Sequence, residues 1–132
     1  MKARKIAVLM AIVALALAAC GGGASDSASD SGGNEGPTGP GDPVKGAAVY
    51  QSTCAACHGP VLQGIDGLGK QLAPSAWVAE RSEEEITEFL IVGRAADDPE
   101  NTQGVAMPAR GGNPSLTDQD LRNVSAYLLA QQ

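Results

Sequence analysis

Residues 54–59 read Cys-Ala-Ala-Cys-His-Gly, and His58 is the sole histidine of the chain. Two thiols with an imidazole directly behind them admit three chemistries: a thioredoxin-like dithiol, half of a zinc site, or covalent attachment of a haem. A dithiol centre follows a strand in a βαβ context, and no stretch of this sequence alternates like a strand with hairpin signals. A structural zinc takes four ligands, whereas the pair and one histidine fall short and the sequence holds no second CxxC. The haem reading uses every residue. Cys54 and Cys57 add to the two vinyl groups of one haem c, and His58 then lies beneath the ring to ligate iron.

Iron in a porphyrin has a second axial position. Of three methionines, Met1 and Met10 fall in the N-terminal leader, which leaves Met107 in "GVAMPARG". A methionine in a Gly/Pro loop is badly placed to fill a core, so Met107 is read as the second ligand. Weak Met107 binding would open the site to a gas or peroxide, giving a sensor or peroxidase instead.

The leader sets the compartment. Lys2, Arg4 and Lys5 precede an unbroken apolar run from Ile6 to Leu17. That run has the length of a signal-peptide core and is shorter than the about 20 residues a membrane span takes. It ends in Leu17-Ala18-Ala19-Cys20, which resembles the lipobox of bacterial lipoproteins. The resemblance implies removal of residues 1–19 and lipidation of Cys20; the alternative is ordinary cleavage after Ala16, leaving a free thiol. Lipidation accounts for the odd count of three cysteines, because the other two form the CxxC pair.

Residues 20–42 are mostly Gly, Ser, Asp and Pro and hold no large apolar side chain. Such a composition cannot offset its ordering entropy and reads as a flexible tether. Residues 43–132 then form one small domain. Its only aromatics are Tyr50, Trp77, Phe89 and Tyr127, so a large apolar cofactor would help fill its core. Loss of the leader's three basic residues takes the formal net charge from −6 to −9, which disfavours nucleic acid as a partner.

Three segments carry helix signals. In "DPVKGAAVYQSTC", Asp42 caps and Pro43 suits the first turn. In "SEEEITEFLIVGR", Ser82 and Glu85 form a capping box, Ile86, Phe89 and Leu90 share a face, and Gly93 closes the helix. In "TDQDLRNVSAYLLA", Thr117 caps and Leu121, Val124 and Leu128 repeat at helical spacing. The remainder is long Gly/Pro-rich loop, of the kind that carries function or wraps something.

With these residues in place the chain is similar to the class I cytochromes c, the small bacterial mono-haem kind. Gly46, Tyr50 and Cys54 match the family's glycine, aromatic and first haem cysteine at four-residue steps. The resemblance implies an all-α fold of about three to five helices around one covalent haem. It implies that the C-terminal helix crosses at Gly46, with Val124 and Tyr127 as partners. It also implies a proline carbonyl that accepts the Nδ1–H of the ligand histidine, for which Pro74 in "LAPSAW" is the candidate. Two features depart from the family: "PVLQGIDGLGKQL" is long for the turn after the motif, and Ala76 stands where a leucine often follows the proline. Trp77, next in line, is read as packing or as a hydrogen-bond donor to a haem propionate.

The function implied is that of a monomeric, membrane-tethered electron carrier outside the cytoplasm, not an enzyme. It passes single electrons between redox proteins such as a cytochrome complex, a terminal oxidase or a dehydrogenase. A dedicated electron-accepting subunit of one dehydrogenase is the alternative.

Overall fold

The structure is a computed structural model that describes residues 39–132; the leader, Cys20 and most of the tether lie outside the described residues. The helical path opens with α1 (Pro43–Val49), widens into a π-helical turn (Tyr50–Cys54) and ends as α2 (Ala55–His58). After a long loop come α3 (Ala76–Ala79), α4 (Glu83–Val92), a 3-10 turn (Ala109–Gly112) and α5 (Asp118–Leu129). Among the described residues there is no strand, and the only β-type pairings are the isolated bridges Ile65 to Gly69 and Arg94 to Met107.

The helix starts follow from side-chain oxygens meeting amides that have no partner within the helix. Asp42 accepts from the amides of Val44 at 2.9 Å and Lys45 at 3.2 Å, with Pro43 in the first turn. The expected box of Ser82 with Glu85 forms on α4, and the expected Thr117 cap on α5 closes into a second box with Asp120. Gly93 ends α4 at φ 74°, a conformation glycine adopts without steric penalty. The short α3, capped by Ser75, lies where the sequence reads only as loop.

The core joins Tyr50, Leu62, Val78, Ile86, Leu90, Leu121, Val124 and Leu128, all buried. α1 crosses α5 at Gly46. A Cβ there would overlap the Asn123 carbonyl and come within 2.9 Å of Tyr127 Cβ. The rings of Tyr50 and Tyr127 pack beside the crossing, 5.5 Å between centroids and tilted. The expected crossing is present, with Asn123 and Tyr127 against the glycine and Val124 in the core below. α4 meets α5 through a buried polar contact, Thr87 Oγ1 donating to Ser125 Oγ at 2.9 Å.

Residues 39–42, expected to belong to the tether, pack against the helices. Gly41 is pressed so close to α5 that a Cβ would overlap the Arg122 carbonyl and stand 2.7 Å from Ala126 Cβ. Its amide donates to Glu83 Oε1 at 3.0 Å, and that of Asp42 to Asn123 Oδ1 at 2.9 Å. Acceptors on α4 and α5 thus draw residues 39–42 onto the folded domain, which a reading by composition assigns to linker.

Candidate functional site

Cys54 ends the π-helical turn and Cys57 and His58 end α2, so the whole motif rides on helical backbone. π-helical turns widen a helix by one residue and recur at functional sites. Burial, and then the neighbouring Cys57, push the Cys54 thiol up to about 11. The turn after His58 is fastened from two sides. The buried Tyr50 hydroxyl donates to the Gly59 carbonyl at 2.5 Å, and Gln51 Nε2 donates to the Pro60 carbonyl at 2.7 Å. Burial first, with Cys54 and Tyr127 adding to it, pushes the Tyr50 phenol to about 12 and keeps it a donor.

His58 Nδ1–H donates to the carbonyl of Lys70 at 2.8 Å. This bond fixes the tautomer, leaving Nε2 with its lone pair for a metal and making the imidazole a better ligand. The expectation that Pro74 supplies this carbonyl is therefore corrected. Pro74 instead accepts from Gln71 Nε2 at 3.3 Å. The reason lies in the turn at residues 64–69. Gly64 N–H donates to the His58 carbonyl at 2.8 Å, and Ile65 pairs with Gly69 at 2.8 and 3.0 Å. Gly69 packs so closely that a Cβ would overlap the Cys57 carbonyl, so the next carbonyl along the chain, that of Lys70, arrives over the imidazole. Leu72 follows two residues later and packs against the core. The leucine register was the signal for this position, hidden because lysine stands where a proline was sought. Buried Leu62, at φ 65°, anchors the same loop: its carbonyl accepts from Leu72 at 2.8 Å.

Met107 approaches from the opposite chain segment. Its amide donates to the Arg94 carbonyl at 2.9 Å, and the Arg94 amide donates to its carbonyl at 2.8 Å. Gly93 makes this approach possible, since a Cβ there would overlap the Met107 carbonyl and stand 2.7 Å from the Ala109 amide. Just beyond, Arg110 pairs with Asp118 at 2.6 Å and donates to the Leu116 carbonyl at 2.9 Å, tying the loop to the start of α5.

Cys54, Cys57, His58 and Met107 all line one largely apolar cleft of about 200 Å³, continued inward by an apolar recess against Val78, Ile86 and Leu128. Pro74 is not among the lining residues. Trp77 is, and it packs: its ring meets Phe89 edge-on at 4.8 Å, with the Arg81 guanidinium 3.9 Å above it. Arg94 extends the stack, 5.0 Å over Phe89, while its guanidinium holds Glu100 at 2.6 Å. The motifs used above did not single out Phe89, Arg81 or Arg94; the share of Phe89 in the apolar face of α4 was the available signal.

These residues suit a haem: two thiols, an oriented imidazole beside them, a thioether lining the same cleft and apolar sides for a flat ring. The rival readings of the motif gain nothing here. Among the described residues no group of three or more His, Cys, Asp or Glu gathers to hold a bare metal ion, and no strand precedes the CxxC pair.

Residues 41–128 match the family described as cytochrome c oxidase, cbb3-type, subunit III. Over 90 residues the chain is 32% identical to cytochrome c-555 of Chlorobaculum thiosulfatiphilum, covering 68% of this chain and 96% of that protein. It is also 32% identical over 90 residues to cytochrome c-555 of Chlorobaculum tepidum, covering 68% of this chain and 77% of the relative. The cbb3-type cytochrome c oxidase subunit CcoP of Azospirillum brasilense is 31% identical over 87 residues, 64% of this chain but 29% of that protein. The helical fold, the cleft and these matches together establish that the chain belongs to the cytochrome c family of electron carriers, as a small mono-haem member with haem c bound covalently through Cys54 and Cys57.

Proposed function

We propose that the protein is a membrane-tethered carrier of single electrons outside the cytoplasm, with His58 and Met107 as the axial ligands of its haem. The observation that carries the reading is the pair of separately anchored side chains, His58 and Met107, lining one cleft with both cysteines. When bound, the haem supplies one-electron ferric–ferrous chemistry. Lys70 holds His58 through Nδ1, which leaves Nε2 free to bind the iron, and Met107 would close the remaining position against exogenous molecules. A soft thioether favours the ferrous state and raises the potential. A second position so closed supports carriage over catalysis, and the protein is read as no enzyme.

The tether is lipid on Cys20, which lies outside the described residues. Among the described residues no helix is long and apolar enough to cross a membrane. A lipid anchor also leaves no unmatched cysteine in the exported chain. The partners are redox proteins, a donor and an acceptor, and the protein works as a monomer. Apolar side chains that line the cleft, Leu68 and Val105, suit brief, weakly charged docking of such a partner. A relative named as an oxidase subunit supports a terminal oxidase as one such partner.

Intact mass and visible spectrum of the protein isolated from membranes test the reading together. The expected mass is that of the chain from Cys20 onward plus one haem and acyl groups, and the expected spectrum is low-spin in both oxidation states. A mass without acyl groups sinks the tether, and a high-spin ferric spectrum sinks the ligand pair.

A further inference from the structure

The segment between Arg94 and Met107 contains no buried residue: positions 95–106 are exposed or half-buried throughout. Residues 100–103, 105 and 106 line the cleft, and within the polypeptide the segment is shaped by its hydrogen bonds. The base is closed by the mutual backbone pair of Arg94 and Met107. Across the interior a single side chain spans both arms. Asn101 Nδ2 donates to the carbonyls of Ala95 and Val105, each at 2.8 Å. Its Oδ1 accepts from the amides of Gln103 and Gly104, each at 3.0 Å. Both donors and both lone pairs are used, so the carboxamide is saturated. Ala95 directly follows one member of the base pair, and Val105 lies two residues before the other.

We propose that Asn101 is the positioning residue of the Met107 loop, setting how firmly the loop holds the Met107 thioether at the haem iron. The proposal rests on the His58 and Met107 ligation read above. A small ligand reaches the ferric iron only when the thioether is away, so its apparent affinity scales with the fraction of open loop. Asn101 governs that fraction through the backbone on either side of Met107. Only a carboxamide serves all four partners. Aspartate keeps an acceptor for the two amides but turns an oxygen toward the Ala95 and Val105 carbonyls, where acceptor meets acceptor.

The test is imidazole titration of the ferric holoprotein, read with the near-infrared sulfur-to-iron band, the potential and helical circular dichroism. Asn101→Ala binds imidazole about tenfold more tightly than the parent, with a weaker band, a lower potential and unchanged helix content. Asn101→Asp is affected at least as much, which a mere need for a turn acceptor does not produce; it also stands in if Asn101→Ala accumulates too poorly to titrate. In a Met107→Ala background, Asn101→Ala shifts imidazole affinity by less than about twofold, because no thioether is left to hold. Parent-like affinity in both single variants, full rescue by aspartate, or the same gain without Met107 overturns the proposal while leaving the ligation intact. Retention of the near-infrared band by Met107→Ala overturns the ligation and the proposal with it.

Discussion

On the histidine side of the cleft the ligand-bearing chain is locked into the core: Tyr50 is fully buried, Leu62 nearly so, and Gly69 is pressed against the Cys57 backbone. On the methionine side, residues 95–106 contribute nothing to the buried core of the polypeptide and are held by side-chain and backbone hydrogen bonds. The contrast assigns separate tasks. One wall fixes the ring with covalent bonds and packing, whose loss costs the whole fold. In the proposed ligation the other adjusts a single bond to iron through a loop that can yield locally without unfolding the domain.

The sharpest way to break this comparison is to remove each ligand in turn. His58→Ala is expected to reduce haem-loaded protein at least about tenfold, since the motif loses the group that seats the ring. Met107→Ala is expected to accumulate red protein at close to parental yield, while its potential falls by a few tenths of a volt, within the roughly 0.8 V that axial ligands command. Haem absorbance per unit protein and a redox titration read both. Equal yields for the two variants would erase the distinction between the walls.

Packing on the histidine side is tested next. Gly46→Leu must push α1 off the Asn123 backbone, which has no flexible end to give, and is expected to destabilise the fold by about 3 kcal/mol. Denaturant unfolding measures it, and parental stability would mean that the helices do not cross at this glycine. Tyr50→Phe leaves the Gly59 carbonyl with the Leu62 amide alone, at 3.2 Å, and is expected to cost about 1 kcal/mol without weakening the sulfur-to-iron band. A weakened band would show that the two walls are mechanically coupled.

The smallest effect lies away from the cleft. Ser82→Ala removes the α4 cap and is expected to cost about 1 kcal/mol with no spectral change. Hydrogen bonds from the Ser82 amide, and then its hydroxyl, hold the Glu85 carboxyl below its ordinary range. A depressed carboxylate stabilises the fold above its unfolded-state pKa, and that contribution is lost as pH falls through its folded-state value. The stability gap between parent and Ser82→Ala is therefore expected to narrow on acidification below the usual carboxylate range. A gap independent of pH would detach Glu85 from the cap.

Much of the histidine side was legible in the sequence because its determinants are local: a CxxCH run, a proline at a helix start, and glycine and tyrosine at four-residue spacing. The caps at Ser82 and Thr117 were equally local. The Lys70 carbonyl was not legible, because a backbone acceptor carries no side-chain signature and the turn at residues 64–69 decides which carbonyl arrives. The docking of Gly39 to Asp42 was hidden for a related reason: composition reports the lack of apolar groups, not the presence of acceptors on a distant helix. The Met107 loop was legible only at its methionine. Asn101 earns its place by bonds to four backbone groups that no periodicity reveals.

The proposed carrier function depends most directly on one bond, from the Met107 sulfur to iron. It is read from the near-infrared sulfur-to-iron band of the ferric protein at neutral pH, recorded for the parent and for Met107→Ala. The account predicts a clear band in the parent and none in the variant. A parent without the band, or a variant that keeps it, would contradict the ligation on which the proposed carrier function rests.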